Sequence, residues 1–201
     1  MRPAGISPSQ FSKIMTSGRR KDELFGKTAL SYADEVVCRI MGFPVDDYTN
    51  EAMQYGIDNE PYAVEAYQIE KMVEVDYTKE RITHPKYEYI SGEPDGLVGN
   101  DGLIEVKCPN PTNHFKNLLS GEQISQYMYQ IQGYMWLTDR KWCDFVSFRP
   151  DYPEKYRISI NRVIRDQDMI DKLEERCVIF WNDIVLPKVE QVENLNKKTT
   201  N

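Results

Sequence analysis

Apolar residues from Thr28 to Met41 fall at Leu30, Ala33, Val36, Val37, Ile40 and Met41. That stripe predicts a helix, closed by Gly42 and Pro44. A shorter helix is predicted at "SPSQFSKIM", with Ser7 as N-cap, Pro8 at the first helical position and Gln10 three residues after the cap; Gly18 ends it. A third helix is predicted from about Asn50 to Lys71, kinked at Pro61. The spacing then changes to short strands at Val73–Tyr77, Tyr87–Ser91, Asp95–Val98 and Leu103–Lys107, the last two joined by a Gly/Asn/Asp turn. Residues 122–139 return to helical spacing, 142–148 and 156–164 read as strands, and 166–185 as an amphipathic helix. The order predicts a single α/β (α+β) domain over 1–190, with a frayed tail over 191–201.

Composition narrows the classes. The 201 residues are 40% hydrophobic and 28% charged, ordinary for a globular protein. No run of about 18 apolar residues is present and the N-terminus lacks an apolar signal segment, so an intracellular protein without a membrane span is expected. Cys38, Cys108, Cys143 and Cys177 show no zinc spacing and read as free thiols, most of them buried. The two histidines, His84 and His114, are too few to rescue a zinc site and read as structural or exposed. A net charge of −7 excludes a generally basic nucleic-acid coat but leaves room for a local basic groove. Arg19, Arg20, Lys21 and Lys27 form one such patch, for which a solvated loop is the competing reading.

The chemistry concentrates in "SGEPDGLVGNDGLIEVKCPN", residues 91–110. On a strand Glu105 and Lys107 share one face, and Ile104 and Val106 point to the other, into the core. Asp95 opens the preceding strand and is expected beside Glu105 across the hairpin. Two converging carboxylates repel unless a cation joins them. With oxygen donors and no Cys or His cluster, the fitting cation is Mg²⁺ or Mn²⁺. Lys107 would reach a hydrolytic water beside it, orienting that water or taking its proton. The chemistry that fits is phosphodiester hydrolysis. The triplet alone is weak, since an Asp…Glu-x-Lys pattern with a free spacer is common and a surface hairpin with one Glu–Lys pair would look the same.

Surrounding motifs add to it. "EPDG…GLIEVKCP" resembles the PD-(D/E)XK nuclease core and, more narrowly, the lambda exonuclease (YqaJ-type viral recombinase) family, including Cys108 and Pro109 after the lysine. "YGIDNEPYA" (55–63) is similar to that family's Gly-x-x-x-Glu helix, and "YMYQIQGYMWLT" (127–138) to its Gln-x-Gln helix. "RPAGISPSQF" resembles the Arg-x-x-x-Ile-(Ser/Thr)-x-Ser segment that contacts a 5′-phosphate in relatives.

The resemblance implies a restriction-endonuclease-like core, a central mixed β-sheet flanked by helices. It implies that Asp95 and Glu105 bind metal with the Val106 carbonyl, that Glu60 joins the metal sphere, and that Lys107 is the catalytic lysine. Gln130 would position Lys107 or the water, with Tyr134 one turn away on the same face and Glu93 outside the ligand shell. Arg2 and Ser9 would hold the terminal phosphate, with Arg19 or Arg20 as the further basic contact.

The function implied is a Mg²⁺-dependent 5′→3′ exonuclease, with Mn²⁺ able to substitute and two ions per active site. It would degrade one strand of linear double-stranded DNA from 5′-phosphorylated ends to mononucleotides and leave a 3′ single strand. A homotrimeric ring, a single-strand annealing partner and a phage or prophage setting in the bacterial cytoplasm come with the resemblance. An endonuclease or junction-cutting nuclease on the same core, and a catalytically silent DNA-end-binding subunit, stay open as alternatives.

Overall fold

The computed structural model describes residues 5–20, 22–45 and 49–199. A 3₁₀ turn at Pro8–Gln10 leads into α1 (Phe11–Ile14), followed by α2 (Lys27–Ile40) and α3 (Glu51–Lys71). Ser7 occupies the N-cap position, but its hydroxyl makes no capping bond and lies 3.2 Å from the Ser9 hydroxyl. Side-chain caps form instead at longer helices, as at α3, where Asn50 Oδ1 accepts from the Met53 amide at 2.8 Å. Pro61 lies inside α3, which runs on through it.

Two short strands, β1 (Ile82–Thr83) and β2 (Ser91–Gly92), pair with each other. The main sheet holds β3 (Gly96–Val98), β4 (Gly102–Lys107), β5 (Trp142–Phe148) and β6 (Ile158–Ile164), in the order β3-β4-β5-β6. The β4–β5 pair is parallel and the other two antiparallel, so the sheet is mixed as expected. Between β4 and β5 run α4 (Pro111–Ser120) and α5 (Ile124–Thr138). The strand expected at Val73–Tyr77 is reduced to one bridge, Asp76 to Leu97, on the outer edge of β3.

Both faces of the sheet are covered. Ile104, Val106, Val146 and Phe148 pack with Ala63, Val64 and Tyr67 of α3. Leu103, Cys143 and Phe145 pack on the other side with Ile131, Tyr134 and Met135 of α5 and with α1 and α2. The Ile104/Val106 face enters the core as expected, and the Glu105 face is covered as well. Glu105 points into the α5 layer and is fully buried.

The final helix extends further than expected. α6 (Gln167–Ile179) passes through a π-helical turn at Phe180–Val185 into α7 (Leu186–Thr199), covering most of the stretch expected to fray. Pro187 has no N–H for the carbonyl one turn back, and the wider turn immediately before it accommodates that defect. Of the four free cysteines, Cys143 and Cys177 are buried and Cys38 and Cys108 only half-buried. Among the described residues no helix is long and apolar enough to cross a membrane.

Candidate active site

Strand β4 carries Glu105 and Lys107 on one face, and α5 lies over that face. Lys107 Nζ donates to Glu105 Oε1. Gln130 Nε2, from α5, donates to the same oxygen at 2.6 Å. The other oxygen, Oε2, is buried with no partner. A buried ionised carboxylate with one oxygen unsatisfied carries a standing cost of about 1–3 kcal/mol. A cation at Oε2 would remove it.

Asp95 sits one residue before β3 and reaches across to β4, where its Oδ2 accepts from the Val106 amide at 2.7 Å. A strand residue's N–H and C=O leave on the same edge, so the Val106 carbonyl also faces Asp95. Burial, then the nearby Glu105 charge, raises the Asp95 carboxyl well above the usual range. Burial also raises Glu105, against the pull of Lys107. Burial works against the Lys107 ammonium, yet the Glu105 and Asp95 charges outweigh it and hold the group protonated. The ammonium also stands over the Tyr127 ring, 5.0 Å from its centroid.

Glu60 approaches from α3, on the opposite side of the sheet. Its Oε1 accepts from Tyr77 at 3.3 Å and pairs with Lys79 at 2.5 Å. Its charge adds to the upward shift of both Asp95 and Glu105. Among the described residues no three His, Cys, Asp or Glu side chains form a closed metal cage. An octahedral hard ion does not need one: Mg²⁺ is held by one or two carboxylates, with waters and substrate phosphate completing its sphere. The unpartnered Oε2 of Glu105, Asp95 and the Val106 carbonyl form an all-oxygen donor set of that kind. The residues fit a divalent ion.

A cavity of about 170 Å³ adjoins this site, lined among others by Ser7, Ser9, Arg39, Arg81, Ser91 and Tyr134. Close packing fixes its walls. A Cβ at Gly133 would lie 2.6 Å from Phe11 and 3.1 Å from Pro8, and one at Gly92 would lie 2.9 Å from the Tyr134 ring. The Pro8–Gln10 turn can therefore press directly on α5. Arg81 donates to the Ser91 hydroxyl at 3.1 Å and pairs with Glu93 at 2.8 Å. Glu93 thus belongs to the cavity wall.

Arg19 and Arg20 do not reach this cavity. They line a separate one with Gly18, Glu23 and Lys27, in a loop closed by the Gly18 amide on the Glu23 carbonyl at 2.9 Å. Arg20 spends its charge on Glu23 at 2.8 Å. Arg2 lies outside the described residues.

Residues 1–141 match the YqaJ-like viral recombinase domain. The chain belongs to the YqaJ-like viral recombinase family. The alkaline exonuclease of Laribacter hongkongensis superposes on this YqaJ-like chain with a TM-score of 0.87 at 30% identity, covering 98% of this chain and 96% of that one. A phage-related exonuclease from Haemophilus somnus shares the fold, with a TM-score of 0.77 at 23% identity over 93% and 96% of the two chains. The uncharacterised protein YqaJ of Bacillus subtilis is 26% identical over 152 residues, 71% of this chain and 44% of that protein. The chain thus spans less than half the length of that curated relative.

Some residues of this YqaJ-like site were not singled out from the sequence. Tyr127 lies inside the Gln-x-Gln motif, one helical turn before Gln130, a spacing that points to a shared face. Lys79, Arg39 and Arg81 carry no motif signal. They arrive from a loop, a helix end and the approach to β1, and only the fold brings them to the site.

Proposed function

We propose that the chain is a divalent-metal-dependent exonuclease that digests one strand of linear double-stranded DNA in the 5′→3′ direction. The observation that carries this reading is Glu105, a buried carboxylate with one oxygen held by Lys107 and Gln130 and the other left for a cation beside Asp95. Asp95, Glu105 and the Val106 carbonyl would hold Mg²⁺, or Mn²⁺ in its place, and Glu60 would join through a second ion or a water. The bound metal would supply Lewis-acid stabilisation of the phosphoryl oxygens and a more acidic water.

The chain's own residues supply the rest. The Lys107 ammonium, kept charged by two carboxylates, acts as donor and fixed positive charge toward the attacking water and the developing phosphorane. Gln130 fixes the Glu105 carboxylate in one rotamer. The Ser9, Arg39, Arg81 and Ser91 cavity takes the terminal 5′-phosphate, Arg by charge-assisted hydrogen bonds and Ser by its hydroxyl. Arg2, from the same N-terminal motif, is assigned to that phosphate on the family resemblance alone.

The family resemblance also supports a homotrimeric ring around the duplex, two ions per site, a single-strand annealing partner and a cytoplasmic, phage or prophage setting. A ring would put DNA on a basic inner wall and leave the acidic surplus outside. The test is a linear duplex phosphorylated at one end, incubated with Mg²⁺ and with EDTA. Mononucleotide release from the phosphorylated end, abolished by EDTA, is expected. Cutting of circular DNA would make the protein an endonuclease, and end binding without cleavage would make it a silent subunit.

A further inference from the structure

Glu60 already has a cation of the chain's own. The Lys79 ammonium lies 2.5 Å from Glu60 Oε1, and the Tyr77 hydroxyl donates to the same oxygen. That ammonium also stands over the Tyr77 ring, 5.1 Å from its centroid. Lys79 holds a left-handed backbone, φ 54°, which a residue with a Cβ seldom adopts without fixed contacts. Its observed contacts are these side-chain bonds to Glu60 and Tyr77. Around the site, the carboxylates of Asp95, Glu105 and Glu60 share the ammonium groups of Lys107 and Lys79.

The two lysines differ in how firmly they are held. The Lys107 side chain is 25% exposed, paired with a fully buried carboxylate and capped by Tyr127. The Lys79 side chain is 43% exposed and pairs with a carboxylate nearer the surface. A lysine head on a flexible four-carbon stem moves into water at little cost. One ammonium is therefore fixed and the other exchangeable.

We propose that Lys79 is the built-in counter-ion of Glu60, occupying that carboxylate until a divalent cation displaces it, so that Lys79 sets the metal concentration at which the site loads. This rests on the reading of Asp95, Glu105 and Glu60 as metal-binding residues. A doubly charged ion and an ammonium compete for one carboxylate edge, and the ammonium, with water within reach, withdraws. Lys79 is thus a positioning residue acting through Glu60.

Calorimetric titration of Mn²⁺ into the full chain tests it, with wild type, Lys79→Gln, Lys79→Arg, Glu60→Gln and the Glu60→Gln/Lys79→Gln double variant. Lys79→Gln should bind Mn²⁺ roughly two- to fivefold more tightly, the range of a half-exposed ion pair. Lys79→Arg, which keeps the charge, should stay close to wild type. In the Glu60→Gln background the Lys79 change should have no effect. Unchanged or weaker binding by Lys79→Gln overturns the proposal. So does an equal gain in the Glu60→Gln background, which would make Lys79 only a distant charge. Failure of the wild type to bind Mn²⁺ would instead remove the metal reading beneath it.

Discussion

Lys107 and Gln130 donate to one and the same acceptor, Oε1 of Glu105, although they come from different elements, β4 and α5. The consequence is an asymmetric carboxylate, satisfied on one side and open on the other. That asymmetry ties the packing of α5 on the sheet to the chemistry proposed at the sheet edge.

Lys107→Ala removes a fixed charge from the reaction centre while leaving the Ser9 cavity intact. Turnover of linear duplex should fall by about 100-fold or more, with binding to a phosphorylated end changed only a few-fold. Single-turnover digestion and gel-shift titration check the two halves separately. Near-normal turnover would take Lys107 out of the mechanism.

Gln130→Leu deletes a hydrogen bond to a buried charge without opening a cavity. Stability should drop by about 1–3 kcal/mol in urea unfolding, and kcat should fall more than KM changes, since the Glu105 rotamer is no longer fixed. An unchanged kcat with reduced stability would confine Gln130 to a packing role.

Removing the 5′-phosphate from the duplex should slow digestion. Arg39→Gln or Arg81→Ala should abolish the difference between phosphorylated and unphosphorylated ends by slowing the former. Rates on both kinds of end, measured for each variant, decide whether the cavity reads the phosphate.

His114 gives a pH dependence away from the metal site. Its Nε2–H donates to the Tyr156 carbonyl at 2.8 Å, so Nδ1 accepts from the Ser147 hydroxyl at 2.8 Å, which in turn accepts from Asn117 at 3.0 Å. Burial, with Arg149 adding to it, lowers the His114 pKa below its ordinary value of 6.5. The folded state thus prefers the neutral ring. Its stability contribution is present above the unfolded pKa and is lost as pH falls toward the depressed folded value. Urea unfolding at about pH 7.5 and about pH 5.5 should show wild type losing more stability on acidification than His114→Gln.

Legibility in the sequence tracked how the hydrophobic pattern faced. α2 read directly because Ala29, Tyr32, Ala33, Val36 and Val37 line its buried side with a helical period, whereas α3 has no such stripe, its Met53, Ile57, Tyr62 and Ile69 being exposed. α4 did not read directly, because its inward face is polar, His114 and Asn117, while Phe115 and Leu119 are exposed. The inversion hides the stripe, and only Asn110-Pro111 as N-cap and first helical residue marks the helix in the sequence. The strand expected at Val73–Tyr77 has the composition of one, but its pairing to β3 is the single bridge from Asp76 to Leu97.

At the candidate site the residues within one hairpin or one helical turn of a motif were readable, namely Asp95, Glu105, Lys107, Gln130 and Tyr134. Contacts spanning distant segments were not. Glu60 to Lys79 crosses from α3 to a loop, and the Ser9 cavity draws Arg39 from the end of α2 and Arg81 from the lead into β1. Arg19 and Arg20 form a basic pair in sequence; the local fold pairs Arg20 with Glu23 and sets both residues on a cavity separate from the Ser9 one.

A divalent ion is proposed to sit between Asp95 and the free oxygen of Glu105. Anomalous diffraction from a crystal grown in Mn²⁺ measures it directly. A peak within coordination distance of Glu105 Oε2, Asp95 and the Val106 carbonyl, with Lys107 still on Oε1, is the predicted result. An empty anomalous map there, with the Asp95 and Glu105 carboxylates turned apart at full Mn²⁺ loading, would contradict the account.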